Sequence, residues 1–461
     1  MENLAEYLDL DGAPQRLRRL AEQLGVSEFA VIRNLEYVFS PFEIYPLAPR
    51  VRPPLPHISA FVMDMDGTST TTEPLALHAL EYMVRRFTGR LTRDAWPGLD
   101  EQRDYPHVIG NSNFRHTEFL VERYREHLDP AALRQAFFEA VCWTLAVMDD
   151  AQRHQAVSEH ARACGLGALL EDAEFRRLLA SGQVSSATVG QLVEPFVARF
   201  GDAFRCAHSG QLVAAALDIY YMRYHSILHA IAAGRGAELS RELLGATGRR
   251  LIEPMPGYEV FLSLVKGWLS AADAGLCEVL LTGRQEGATL QPEAARACLS
   301  RLAEHFRRQP ARVALVTASI RYEAEVTMRE VLAVAAERVR GWPLSKGRRA
   351  ELAERLANPA VVFDALVNAS DACEHRLKPH RDLYSLALHE LSLPKADYRF
   401  CVGLEDTEPG IIALRAAGIG CAVALPNRDT ARQNYRAATL IVRGGLPELI
   451  LGRNLLLPEG V

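Results

Sequence analysis

The chain has 461 residues, enough for about two to four domains, and its 49% apolar and 24% charged content is that of a globular protein rather than a disordered or fibrous one. Lys and Arg number 52 against 57 Asp and Glu, a net charge of −5, which excludes a polyanion-binding surface over the whole molecule and leaves only a local patch open. The acidic start MENLAEYLDLDG is unlike a signal peptide, and no apolar run nears the roughly 18 residues that span a bilayer, so no membrane is expected.

Residues 1–40 are predicted helical. Within them, Leu20 to Leu35 resembles a helix-turn-helix pattern with Gly25 at the turn. Phosphate contacts need cationic side chains, yet residues 1–50 carry five bases against eight acids, and the expected second helix has Glu28 and only Arg33. A docked helical hairpin is the better reading, and nucleic acid is not an expected partner. A regulatory or DNA-binding protein remains the alternative from another class. Residues 41–57 (PFEIYPLAPRVRPPLPH) are too rich in proline for a helix and are predicted to be an extended connector. The apolar run from Ile58 to Met63, stopping at Asp64 before Gly67, reads as a buried strand ending in a tight loop.

From Glu73 to about Leu251 the apolar spacing is helical, and the tyrosine-rich stretch 219–231 reads as a buried helix rather than an aromatic nucleic-acid platform. After Pro254-Met255-Pro256-Gly257 an α/β alternation begins, with strands predicted at Glu278–Leu281, Val313–Val316, Ala360–Phe363, Arg399–Val402, Cys421–Leu425 and Thr439–Val442. The predicted fold is α/β: a Rossmann-like three-layer parallel-sheet core, a large inserted all-α cap domain and an N-terminal helical extension. The expected divisions are 1–52 for the extension and linker, 53–72 and 254–461 for the two parts of the core, and 73–253 for the cap. The eight cysteines, Cys142, Cys164, Cys206, Cys277, Cys298, Cys373, Cys401 and Cys421, form no C-x-x-C pair and read as reduced thiols of a cytoplasmic protein. Cys206 with His208 comes nearest to a metal pair but lacks a matching second pair.

Four segments carry chemistry. Asp64-Met65-Asp66-Gly67-Thr68 follows the first core strand; two carboxylates so spaced can both face the crevice at a strand end, one as nucleophile and one as proton donor, and their hard oxygens suit Mg²⁺. A solvated acidic turn is the alternative. Gly67 lets backbone approach an anion, with Thr68 beside it. Val313 to Ser319 ends a second apolar run in the hydroxyls of Thr317 and Ser319 before a helical stretch, an arrangement suited to phosphate. Lys378 precedes another helix start in KPHRDLY, and Glu405 and Asp406 end a further apolar run in GLEDTEPG.

In that order, DMDGT, VTAS, KPHRDLY and GLEDTEPGIIALRAAGI resemble the four motifs of the haloacid dehalogenase (HAD) superfamily. In detail they are most similar to the β-phosphoglucomutase-like branch, where K-P-x-x-D-x-Y/F and E-D-S/T-x-x-G-I-x-A-x-x-A-G are usual. The resemblance covers about residues 58–75 and 254–448. It implies that Asp64 is the nucleophile, forming an aspartyl-phosphate. Asp66 would protonate the leaving alkoxide and then activate water or, in a mutase, a second substrate hydroxyl. Thr317 and Lys378 would hold the phosphoryl oxygens. Asp406, helped by Glu405, would coordinate Mg²⁺ with Asp64 and the backbone carbonyl of Asp66. Thr282, in a competing strand-then-threonine, lies closer to Gly257 as the family prefers, but Thr317 is favoured because Ser319 follows it.

The sequence departs from the family at Thr71, where an Asp is common, and in the size of the block at 73–253, far larger than the usual cap. Its extra helices would form a homodimer, restrict access or recognise a bulkier substrate. Within it, Gly110 to His116 is the expected substrate-facing loop, offering Asn111, Ser112, Asn113, Arg115 and His116, with a helix cap as the plainer reading. Arg321 is a further candidate for substrate contact, against the alternative of a solvated helix residue. The resulting expectation is an Mg²⁺-dependent phosphatase acting on a small phosphorylated metabolite, first a sugar phosphate, with a sugar phosphomutase as the alternative.

Overall fold

Eight strands are present in the computed structural model, which describes residues 9–34, 40–110, 112–245, 250–282, 291–372 and 376–459. They are β1 (Glu28–Arg33), β2 (Phe42–Leu47), β3 (Ala60–Asp64), β4 (Arg312–Val316), β5 (Ala365–Val367), β6 (Cys401–Glu405), β7 (Cys421–Ala424) and β8 (Leu440–Ile441). Six form one sheet in the order β5-β4-β3-β6-β7-β8, with every neighbouring pair parallel. All carboxyl ends therefore share one edge. The first strand of this six-stranded sheet in chain order, β3, has β4 on one side and β6 on the other, so the winding direction reverses there, where open parallel sheets leave a crevice.

Both faces of the sheet are covered, which is why its strands read as continuous apolar runs. Ala60 and Val62 pack towards Leu383, Leu388 and Leu414 of the helices Asp382–Glu390 and Glu408–Ala416. Phe61 faces the other way and meets Phe261 edge-on at 5.0 Å between ring centres. The chain divides into two compact units. One comprises Met1–Thr70, Pro254–Ile320 and Leu332–Val461 and contains the sheet. The other comprises Thr71–Glu253 and Arg321–Val331; among its described residues it is helical, with Pro130–Val147 and Ser209–Ala232 its longest helices. In this second unit Asp218 accepts 2.8 Å hydrogen bonds from Arg153 and His160, and Thr71 and Glu253 join the segment's two ends. Among the described residues no helix is long and apolar enough to cross a membrane.

Several sequence expectations are corrected. The N-terminal segment is not a helical hairpin: helix Ala13–Leu24 ends at Gly25 in a left-handed turn, and the expected second helix is strand β1, antiparallel to β2. The β-branched Val31 and Ile32 find a partner in what was expected to be an unpaired connector, and pairing across the sheet overrides helical spacing. A helix-turn-helix is thereby ruled out for this segment. Residues predicted as a strand at Glu278–Leu281 are helical (Cys277–Thr282), following a capping box between Ser270 and Asp273 that starts the helical stretch. The strand expected at Ala360–Phe363 is a helical turn, Pro359–Val362, begun by the Asn358 side chain; β5 comes three residues later. Short apolar runs of this kind do not distinguish strand from buried helix.

Candidate active site

At the end of β3 the chain turns at once. The N–H groups of Ser69 and Thr70 both donate to the Met65 carbonyl (2.9 and 3.0 Å), and Gly67 takes φ +80°. A Cβ at Gly67 would lie 2.3 Å from Oδ2 of Asp406, so glycine serves both the backbone conformation and the close approach of the β6 loop.

Three of the four predicted segments meet in one buried ionic cluster. Lys378 Nζ donates to Asp64 Oδ1 and, at 2.8 Å, to Glu405 Oε1. Glu405 Oε1 also accepts from the Tyr384 hydroxyl (3.0 Å), while its Oε2 accepts from the backbone N–H and the hydroxyl of Thr407, both at 2.9 Å. Each oxygen of Glu405 thus has two donors, which fixes the carboxylate as a seat for Lys378. Asp406 is held by the Thr68 hydroxyl at 3.0 Å and by Asn427 Nδ2 at 2.9 Å. Carboxylate oxygens of Asp64, Glu405 and Asp406 lie within 4.8 Å of one another, and all three residues are buried.

Three acids around one lysine leave an excess of negative charge. Burial pushes the Asp64 carboxyl well above the usual range, Glu405, Asp406 and Asp66 add to this, and Lys378 opposes it. Burial would lower the lysine, but Asp64 and Glu405 outweigh it and hold Lys378 protonated. A hard divalent cation fits such a donor set: it needs buried carboxylate oxygens and relieves the repulsion that raises Asp64.

The fourth segment arrives from β4. The hydroxyls of Thr317 and Ser319 both donate to Asp66 Oδ2, at 3.2 and 3.1 Å, and the Ser319 N–H donates to Thr317 Oγ1 at 3.0 Å. Thr282 is elsewhere in role: it ends a helix, and its hydroxyl bonds back to the carbonyls of Glu278 (2.7 Å) and Val279 (3.0 Å). Thr68, expected at the substrate, spends its hydroxyl on Asp406.

The remaining candidates belong to the helical unit. Ser112 caps the helix Asn113–Arg123, its Oγ accepting from the Arg115 N–H at 3.4 Å. Asn113 donates to the Tyr221 hydroxyl at 3.3 Å, His116 is buried, Arg115 is half-buried, and Arg321 is exposed at a helix start. Asn111 lies outside the described residues.

Two sets of residues escaped the sequence reading. Asn427, which ties Asp406 to the Gly67 carbonyl (3.2 Å), follows β7 in a Pro-Asn turn whose only sequence signal is the turn itself. The N-terminal hairpin also reaches the lysine loop: Tyr45 on β2 lies 2.9 Å from His380 Nδ1, and Arg376 bridges Asp382 (2.6 Å), the Tyr45 oxygen (2.5 Å) and Glu43. Glu43 and Tyr45 were read as part of a linker, so nothing marked them.

No family model matches the sequence, and no curated protein matches it. Solved structures similar to this chain include CbbY from Rhodobacter sphaeroides in complex with phosphate, at 16% identity over 85% of this chain and 96% of that one, with a TM-score of 0.38. A hydrolase from Pseudomonas syringae is 11% identical over 85% of this chain and 96% of that one, with a TM-score of 0.35. A HAD family hydrolase from Deinococcus radiodurans R1, with bound phosphate and sodium, is 13% identical over 87% of this chain and 99% of that one, with a TM-score of 0.33.

Proposed function

We propose that the protein is a phosphohydrolase of the HAD type that acts on a small phosphorylated metabolite through an aspartyl-phosphate. The observation that carries this reading is the joining of four sequence-distant segments at one sheet edge: Asp64 and Asp66, Thr317 and Ser319, Lys378, and Glu405 with Asp406. Phosphoryl transfer asks mainly for alignment and charge stabilisation, and this set supplies both.

Asp64 attacks phosphorus through a carboxylate oxygen, and the ester oxygen leaves. Asp66 donates its proton to that leaving alkoxide; Thr317 and Ser319, both directed at Oδ2, hold its carboxyl in place. The deprotonated Asp66 then takes a proton from the water that cleaves the acyl-phosphate, returning Asp64 to a carboxylate. Lys378 opposes the burial that raises Asp64, favouring its ionised form, and offers positive charge to the phosphoryl oxygens. Asp64 and Asp406, with Glu405 beside them, would hold Mg²⁺, which would supply charge neutralisation for the dianionic substrate. A sugar phosphate is the first substrate to try, and the helical unit takes the part of a cap.

The test is hydrolysis of an aryl phosphate and a panel of phosphorylated metabolites, with Mg²⁺ and with chelator. Asp64→Asn is expected to fold and to lose turnover by at least about 10³-fold, as nucleophile removals do. Unchanged turnover in that variant overturns the reading. Turnover that requires a sugar bisphosphate and releases little phosphate identifies a mutase instead.

A further inference from the structure

Two cysteines that lie 42 positions apart meet in the helical unit, with Sγ of Cys164 and Sγ of Cys206 separated by 3.9 Å. Cys164 terminates the helix Ala151–Ala163, and Cys206 lies just before the helix Ser209–Ala232. One backbone bond and the Gln211 side chain stitch the two segments together around the pair. The Arg205 N–H donates to the Cys164 carbonyl at 2.9 Å, Gln211 Nε2 donates to the Ala163 carbonyl at 2.8 Å, and the Ala207 N–H donates to Gln211 Oε1 at 2.6 Å. The sulfurs are therefore brought together by the fold and not by a rotamer alone. A disulfide bond is about 2.05 Å long, so the two sulfurs, 3.9 Å apart, must close by roughly 1.9 Å.

The two thiols are unequal. Cys164 is buried and Cys206 is partly exposed. The two sulfurs lie within hydrogen-bonding distance, and that contact lowers the Cys206 thiol and raises that of Cys164. Cys206 is the sulfur that a peroxide can reach, which is the nucleophile's position, and its buried neighbour is placed to resolve what forms.

We infer that Cys206 and Cys164 constitute an oxidation site that a peroxide converts to an intramolecular disulfide. The Cys206 thiolate attacks a peroxide oxygen, the O–O bond breaks, and hydroxide leaves. Sulfur is oxidised by two electrons to a sulfenic acid while hydrogen peroxide is reduced. Cys164 then attacks the Cys206 sulfur, the S–O bond breaks, and the Cys164 proton leaves with the hydroxyl as water. The product ties the end of one helix to the start of another, the same two helices that Arg153, His160 and Asp218 already bridge at 2.8 Å.

The test is covalent and needs no substrate, so it stands apart from the proposed phosphohydrolase activity. The reduced full chain is treated with hydrogen peroxide, its remaining thiols are alkylated, and its peptides are weighed. The expected product joins the Cys164 and Cys206 peptides, two hydrogens lighter than their sum, and dithiothreitol restores both thiols. In Cys206→Ser, Cys164 stays alkylatable; in Cys164→Ser, a sulfenic acid persists at Cys206 and is captured by dimedone. Oxidised wild-type chain is expected to melt a few degrees higher than reduced chain. The inference is overturned if Cys164 remains alkylatable after Cys206 is oxidised, if neither thiol reacts, or if Cys164 oxidises equally in Cys206→Ser.

Discussion

The Tyr45 hydroxyl lies 2.9 Å from Nδ1 of His380, two residues beyond Lys378. Strand β2 thereby braces the loop that delivers the buried lysine, and Arg376, bonded to Tyr45 and Asp382, braces it from the other end. Tyr45→Phe removes the hydroxyl and keeps the ring. The hydroxyl serves His380, Arg376 and Glu43 at once; each such bond is worth about 1 kcal/mol net, so turnover of an aryl phosphate is expected to fall at least about fivefold with unchanged circular dichroism. Full activity in Tyr45→Phe would show that the lysine loop holds its place without the hairpin.

Lys378→Met leaves Asp64 and Glu405 facing each other without their shared cation. Removing one partner of a buried ion pair costs about 3–5 kcal/mol, measurable as a loss of urea stability at neutral pH. The Asp64 carboxyl is already raised by burial, and losing Lys378 raises it further. Protonation of Asp64 then relieves the variant's folded state more than that of wild type, so the deficit is expected to shrink as pH falls.

Gly410 sits where any side chain would strike Glu405: a Cβ there would lie 1.7 Å from Oε1. Alanine gains helix propensity of about 1 kcal/mol, but a clash this deep must displace the carboxylate or the helix. Gly410→Ala is expected to destabilise by about 1–3 kcal/mol and to abolish turnover by unseating Lys378, read by thermal melting and phosphate release.

In the helical unit, burial would lower His160, but the Asp218 carboxylate beside it at 2.8 Å prevails and raises it above the ordinary 6.5. A raised folded-state value means that the stabilisation is complete below pH 6.5 and fades as pH climbs through the folded-state value. His160→Gln is therefore expected to melt well below wild type at pH 6 and to approach it in mildly alkaline buffer. A constant gap across that range would show that the pair adds nothing through charge.

How much of this could be seen in advance differs from residue to residue. Asp64, Asp66, Lys378, Glu405 and Asp406 stood out because each occupies a short motif next to an apolar run, and strand ends are local features. The hydroxyl that meets Asp66 was harder to choose: Thr282 and Thr317 each follow an apolar stretch, and the first stretch is helical, continuing from a turn that Ser270 and Asp273 cap. Segment 28–47 misled for a related reason. The spacing of Phe29, Val31 and Ile32 suits helix and strand alike, and pairing with β2 decides between them.

Composition, periodicity and local motifs were sufficient for the α/β core and the helical insertion, and they marked the acids and the lysine as candidates, since those features depend on neighbours within a few residues. The meeting of Tyr45 with His380, of Asn427 with Asp406 and of Cys164 with Cys206 depends on chain segments tens to hundreds of positions apart. Long-range packing brings such partners together, and no one-dimensional pattern records it.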